Sequence, residues 1–288
     1  MVPIKSSTGA ETRLIWLLGH PVSHSFSPRI HNAAFRYQGL DYRYEAHDVP
    51  PERLSAALAE MRRAGVRGAN LTLPLKELVL PLLDVVDPQA AAIGAVNTIV
   101  NDEGRLYGHN TDVDGFTSAL RTILPAGARG LDCLVVGAGG AARAAVAALL
   151  SDQPKRVMVA NRTPERAVHL CASIPVEVQS PCLALSLEQA ATVAGEVDLV
   201  VNATSIGLAD SVKDFPLDVD SFHSGQVLFD LVYGFVTTSL VQRARMRGAL
   251  AVDGREMLLQ QAARSYELWT GQKAPLEVMR ESIEHLEE

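Results

Sequence analysis

Short apolar runs and longer stretches of helical period take turns along this chain. RLIWLLG (13–19), GANL (68–71), CLVV (133–136), VDLVVN (197–202) and VLFDLV (227–232) are compact and bounded by glycine or polar residues, the mark of buried strands. Residues 42–49, 95–101 and 155–160, the last with RVMVA as its core, read as further strands. Between them, residues 50–64 carry Leu54, Leu58 and Met61 on one helical face, and residues 27–38, 237–248 and 254–271 are also helical. The stretch 254–271 carries Met257, Leu258, Gln261, Ala262, Tyr266 and Trp269, and a last helix starts at Pro275 and turns acidic and exposed by Glu284, Glu287 and Glu288. Residues 1–12 are polar and read as loose. Strands alternating with helices predict an α/β chain, its second half a doubly wound parallel sheet.

One stretch, LDCLVVGAGGAARAAVAALL (131–150), organises the rest. Its strand turns on Gly137-Ala138-Gly139-Gly140-Ala141 and continues as a helix lined with small residues that pack close to a sheet. Glycine at Gly137 and Gly139 permits a sharp bend and lets a pyrophosphate approach the backbone. The helix start adds unpaired N–H groups and the positive end of its dipole. A lone glycine turn also serves packing alone; here strand, turn and helix follow in the order that dinucleotide binding requires. The next strand ends on Asn161-Arg162-Thr163-Pro164-Glu165-Arg166. An acidic residue at that place accepts from a ribose 2′-OH, whereas arginine accommodates a 2′-phosphate. Arg162 and Arg166, with Thr163 as helix cap and hydroxyl donor, therefore point to NADP over NAD, unless Arg166 only decorates an exposed helix face. Thr204 and Tyr233 close later strands on the same side.

Composition narrows the class. The 288 residues allow two domains, and 48% hydrophobic against 20% charged residues imply large cores. A net charge of −7 speaks against non-specific nucleic-acid or membrane-surface binding. No apolar run is long enough to span a bilayer and no signal pattern opens the chain. Cys133, Cys171 and Cys182 are scattered without metal or redox spacing, Cys133 reading as a core residue, a usage that fits a reducing cytoplasm. No metal site is expected.

Candidate chemistry in the first half clusters near strand ends. In HPVSHSFSPRIHN, Ser25 and Ser27 lie beyond a strand and at a helix mouth, where Ser27 reads equally as an N-cap. Lys76 sits among Leu73, Leu75, Leu78 and Leu80, where a lysine either snorkels to water or is held desolvated for proton transfer. Asn97 and Asp112 both lie where strands give way to loops, the place where ligands collect in open α/β sheets, although an aspartate opening a helix is usually a cap.

Eight motifs occur in order: HPVSHSFSPRIHN, GANLTLPLKE, GAVNTIV, GHNTDVDGF, VVGAGGAARA, ANRTPERA, NATSIGL and DGREMLLQQA. Together they resemble the shikimate dehydrogenase family over nearly the whole chain. The resemblance implies a two-domain α/β protein with an N-terminal substrate domain and a Rossmann-like NADP-binding domain. It implies Lys76 and Asp112 as the catalytic pair, and Ser25, Ser27, Thr72, Asn97, Tyr233 and Gln261 as substrate-binding residues. The cofactor would meet Gly137, Gly139, Gly140 and Ala141, then Asn161, Arg162, Thr163 and Arg166, and finally Thr204, Gly254 and Met257. The implied reaction is reversible NADPH-dependent reduction of 3-dehydroshikimate to shikimate, in aromatic amino-acid biosynthesis. A quinate/shikimate or aminoshikimate dehydrogenase is the alternative within the class, and a non-catalytic NADPH-binding sensor the alternative outside it. One departure is visible: the run Tyr233-Gly234-Phe235-Val236-Thr237-Thr238-Ser239 lacks the two prolines usual in the family, which bears on the placement of Tyr233. The strand pattern of the second domain is complete before Gly254, so residues 1–115 with 254–288 are expected to form the substrate domain and 116–253 the NADP domain. A monomer or homodimer acting in the cytoplasm on a small molecule, with no nucleic-acid or membrane partner, completes the expectation.

Overall fold

Two six-stranded sheets carry the chain, one from each half of the strand pattern. The computed structural model describes residues 12–174, 180–206, 215–234 and 236–284; the expected loose start, Phe235 and the acidic end at Glu287 and Glu288 lie outside the described residues. The first half runs β1 (Arg13–Gly19), α1 (Ser27–Tyr37), β2 (Tyr42–Asp48), α2 (Leu54–Arg63), β3 (Gly68–Leu71), α3 (Leu75–Leu78), β4 (Val85–Val86), α4 (Pro88–Ile93), β5 (Thr98–Asp102) and β6 (Arg105–His109). Its sheet has the order β2-β1-β3-β5-β6-β4. β1, β2 and β3 are parallel, while β5 runs antiparallel to both β3 and β6. The β5–β6 hairpin turns on Glu103 and Gly104, both with positive φ, so this sheet is mixed.

Helix α5 (Asp112–Ile123) leads into the second half: β7 (Asp132–Val136), α6 (Gly140–Ser151), β8 (Arg156–Ala160), α7 (Pro164–Ala172), β9 (Cys182–Leu185), α8 (Leu187–Val193), β10 (Leu199–Asn202), β11 (Val227–Asp230), α9 (Ser239–Met246) and β12 (Leu250–Val252). Every strand pair is parallel, in the order β12-β11-β10-β7-β8-β9. This is the doubly wound order, with its switch between β7 and β10. Residues alternate in facing along β7: Cys133 and Val135 join the core under α5 and α6, and Leu134 and Val136 join the core under α8 and α9.

Helices α10 (Arg255–Thr270) and α11 (Leu276–Glu284) return to the first sheet. Leu258, Tyr266, Trp269 and Met279 share one core with Ile15, Leu17, Ile30 and Phe35. The Trp269 indole donates to the Ile99 carbonyl at 2.9 Å, and its ring fills the space that Gly68 leaves open. Among the described residues no helix is long and apolar enough to cross a membrane.

Three local expectations change. Ser27 does not cap α1; it is the first helical residue, and Ser25 Oγ accepts the Ser27 N–H at 3.2 Å instead. Thr163 stands at the cap of α7 without a side-chain hydrogen bond. Cys171 and Cys182, eleven residues apart, are not scattered in space: parallel pairing of β8 with β9 sets the edge strand beside α7 and brings their sulfurs to 2.7 Å.

Candidate active site

The register of the first sheet gathers polar residues at one edge. Asn70 pairs with Thr98, and Thr98 with His109. β3 therefore leaves the sheet toward Thr72 and Lys76, and β6 leaves it toward Asn110 and Asp112. Asn97, expected inside a strand over 95–101, lies just ahead of β5. Because β5 is antiparallel to its neighbours, its start rather than its end reaches this edge.

There Lys76 Nζ donates to Asp112 Oδ2 at 2.5 Å, with side chains only 17% and 5% exposed. Lys76 thus keeps its charged end in the cleft, fixed to a carboxylate. Asp112 Oδ1 accepts from Asn97 Nδ2 at 2.8 Å. The Asn97 amide has one orientation, because its Oδ1 accepts the Thr111 backbone N–H at 2.7 Å. Behind it, Thr98 Oγ1 donates to Asn97 Oδ1 at 3.0 Å, and Ser265 Oγ lies 2.8 Å from Thr98 Oγ1 and 3.0 Å from Thr111 Oγ1. Asn70 Nδ2 donates to Thr98 Oγ1 and Ser265 Oγ, and Asn70 Oδ1 accepts from the Tyr44 hydroxyl at 2.8 Å. The side chains of this network are buried and mutually bonded, which fixes the direction of the carboxylate. Asp112 also opens α5, but it is not the cap: its own N–H is taken by Asn110 Oδ1 at 3.0 Å.

Helix α10 supplies the wall. It packs on α5 at Gly115, where a Cβ would stand 2.8 Å from both Gln261 Cβ and the Met257 carbonyl. That approach brings Gln261 Oε1 within 3.3 Å of Asn97 Nδ2.

The parallel second sheet presents the ends of its strands to the same cleft. Gly137 has φ +120°, and a Cβ there would stand 2.7 Å from the Ala203 carbonyl oxygen, so the turn admits only glycine. At Gly139 a Cβ would meet nothing within 4 Å, and among the described residues no side chain caps the start of α6, leaving room and N–H groups for a phosphate. A Cβ on Gly140 would come 2.9 Å from Lys76 Cβ, so the turn packs directly on the lysine stem. Across the switch point, Thr204 Oγ1 donates to Asn202 Oδ1 at 2.7 Å, and Asn202 Nδ2 donates to Asp230 Oδ1 at 2.8 Å. Burial pushes the Asp230 carboxyl up to about 6. Asn161 Nδ2 donates to the Thr163 carbonyl at 2.9 Å and shapes the loop that exposes Arg162 and Arg166.

Three family profiles match in chain order: "Shikimate dehydrogenase substrate binding domain" over residues 17–99, "Shikimate / quinate 5-dehydrogenase" over 121–209, and "Shikimate 5'-dehydrogenase C-terminal domain" over 254–284. The NADP(+) shikimate dehydrogenase of Moorella thermoacetica is 46% identical, across 97% of this chain and 94% of that protein. The chain belongs to the shikimate dehydrogenase family. The shikimate 5-dehydrogenase of Thermus thermophilus, in complex with NADP(H) and shikimate, superposes with a TM-score of 0.82 at 41% identity, over 95% of this chain and 99% of that one. The quinate dehydrogenase of Corynebacterium glutamicum, in complex with NAD, superposes with a TM-score of 0.85 at 32% identity, over 95% and 99%.

One cleft brings together the residues that the resemblance to shikimate dehydrogenases assigns to substrate. Ser25, Ser27, Thr72, Asn97, Tyr233 and Gln261 line it together with Lys76 and Asp112. From the cofactor set, Ala141, Thr204, Gly254 and Met257 line the same cleft, whereas Asn161, Arg162, Thr163 and Arg166 stand farther out along β8 and α7. Tyr233 reaches the cleft without the family's prolines, its ring 5.5 Å from that of Phe26 and its hydroxyl toward Ser25. Asn70 also lines the cleft and was not singled out in the sequence. It lies inside GANLTLPLKE two residues before Thr72, and the alternation of β3 would have pointed both side chains the same way.

Proposed function

We propose that the protein is an NADP-dependent shikimate dehydrogenase that catalyses the reversible reduction of 3-dehydroshikimate to shikimate. The observation that carries this reading is the Lys76–Asp112 pair, held at 2.5 Å with the glycine turn packed on the lysine stem. NADP(H), when bound, supplies hydride chemistry; Gly137, Gly139, Gly140 and Ala141 would hold its pyrophosphate, and Arg162, Thr163 and Arg166 its 2′-phosphate.

In the reducing direction negative charge develops on the ketone oxygen. Lys76, as an ammonium, stabilises that charge and donates the proton; in the oxidising direction its neutral amine accepts it. Asp112 holds Nζ in place, and Asn97 holds Asp112. Ser25 and Ser27 take the substrate carboxylate, and Thr72, Asn97, Tyr233 and Gln261 its hydroxyl groups. The domain division follows the same logic: residues 1–115 with 254–288 bind substrate, and 116–253 bind NADP. The core shared by α10, α11 and β1 supports that division. The protein acts in the cytoplasm as a monomer or homodimer.

A quinate substrate stays as the second reading because the profile over 121–209 and a similar structure both carry that name. Quinate adds one hydroxyl, which a site reads only through its polar partners. The test follows reduced-cofactor absorbance with shikimate and quinate, each with NADP and with NAD. Turnover of shikimate with NADP should exceed the other three combinations. Preference for quinate revises the pocket at Ser25, Ser27 and Tyr233, preference for NAD overturns the arginine reading, and cofactor binding without turnover moves the sensor reading forward.

A further inference from the structure

Glu77 follows Lys76 on α3 and reaches helices α6 and α7 of the second half. Its Oε1 accepts from Arg166 NH2 at 3.0 Å, and its Oε2 lies 3.4 Å from Arg143 Nε. Arg143, on α6, is largely buried and also donates to the Ile93 carbonyl at 3.3 Å. Arg166, on α7, is half exposed. A carboxylate of the first half thus holds one of the two cations that stand ready for a 2′-phosphate.

We propose that Glu77 is a specificity-determining residue, an internal carboxylate that competes with the 2′-phosphate of the cofactor for Arg166. The proposal rests on the NADP reading of Arg162 and Arg166 given above. A phosphate monoester carries nearly two negative charges at neutral pH, and a carboxylate one. The phosphate therefore displaces the carboxylate from Arg166, which gives up the existing ion pair. That loss reduces affinity for NADP and does not touch NAD, whose ribose carries a neutral hydroxyl there. The size follows from the pair. Exposed ion pairs are weak, so the arginine is free for a substantial fraction of the time, and the apparent affinity for NADP falls by about two- to sixfold. Glu77 also adjoins Lys76 on a helix of one turn, so the carboxylate that reads the far end of the cofactor shares its helix with the proton donor.

The test is calorimetric titration of the full-length enzyme with NADP+ and with NAD+, without substrate, for the wild type, Glu77→Gln, Arg166→Gln and the double variant. Glu77→Gln keeps the size of the side chain and removes its charge, and Glu77→Asp serves as a second variant that keeps the charge and shortens the reach to Arg166. Glu77→Gln should bind NADP+ about two- to sixfold more tightly with NAD+ affinity unchanged, and the gain should vanish in the Arg166→Gln background. Unchanged or weaker NADP+ binding overturns the proposal. So does a parallel change for both cofactors, which would mean that Glu77 governs the closeness of the two halves instead. A gain that survives without Arg166 overturns it too. If Arg166→Gln alone leaves the margin of NADP+ over NAD+ at its wild-type value, the reading of Arg166 is what fails.

Discussion

At the scale of single residues, the cleft is organised around the amine of Lys76, which is anchored from two directions. Asp112 fixes its charged end, and Gly140 bounds its stem. Lys76→Met keeps the apolar stem and removes the ammonium; steady-state kinetics should show kcat falling about 10²- to 10⁴-fold with a small change in KM. Gly140→Ala attacks the other anchor. The new methyl would come within 2.9 Å of Lys76 Cβ and 3.0 Å of Cδ, and the lysine has to give. The expected result is a drop in kcat of about tenfold or more, because displacements of a fraction of an ångström at a reacting group are costly. Thermal unfolding should show a modest loss of stability for Gly140→Ala, since the atom it meets is the lysine Cβ and not the flexible end of the side chain. The chain placed Ser25, Lys76, Asn97 and Asp112 near strand ends and helix starts, and the resemblance to shikimate dehydrogenases added Thr72 and gave each its expected role. What was hidden is the hydrogen-bond traffic between them. Asn70, Thr98 with Thr111 at the open end of the β5–β6 hairpin, and Ser265 come from three separate stretches, and nothing along the chain announces that they meet.

At the scale of elements, α1 carries a buried histidine that makes the fold acid-sensitive. His31 stacks on Tyr44 at 4.5 Å, faces Phe35 and Trp269, and has no hydrogen-bond partner for either ring nitrogen among the described residues. Burial lowers its pKa from 6.5 to about 3. The unfolded chain then accepts a proton near pH 6.5 that the folded protein refuses, so stability falls as pH drops from 6.5 toward 3. Between pH 7 and pH 5 this amounts to about 2 kcal/mol. Urea unfolding at both pH values should show His31→Phe losing about that much less than the wild type. At the β9 rim of the second sheet, the sulfurs of α7 and β9 are in contact. Oxidised glutathione should join Cys171 and Cys182, releasing two molecules of reduced glutathione per disulfide. Intact mass should fall by two hydrogens in the wild type, whereas Cys171→Ser should show no such loss. Strands β9 and β12 escaped the sequence reading for a shared reason. Both are short edge strands at the two rims of the sheet, with exposed positions that blur the apolar signal. The β5–β6 hairpin was half read, because a mixed sheet hides in a chain whose other strands alternate with helices.

At the scale of the whole molecule, the architecture follows from one fact about the strands. The parallel strands of both sheets end toward one cleft, so loops far apart in sequence converge there. The doubly wound half was plain from its near-continuous apolar strands and its glycine turn. The return of α10 was legible only by elimination, after the strands of the second half had been counted. Its physical warrant is the indole of Trp269, inserted where Gly68 provides no side chain. That placement has an optical consequence. The chain has two tryptophans, Trp16 and Trp269, and both are packed on the first sheet. Intrinsic emission excited near the red edge therefore comes from that half alone, while circular dichroism weighs both halves. Followed together through a denaturant titration, the two signals turn a single sample into a gauge of how tightly one half of the enzyme depends on the other: coincident curves mean one cooperative unit, and separated curves measure the coupling directly.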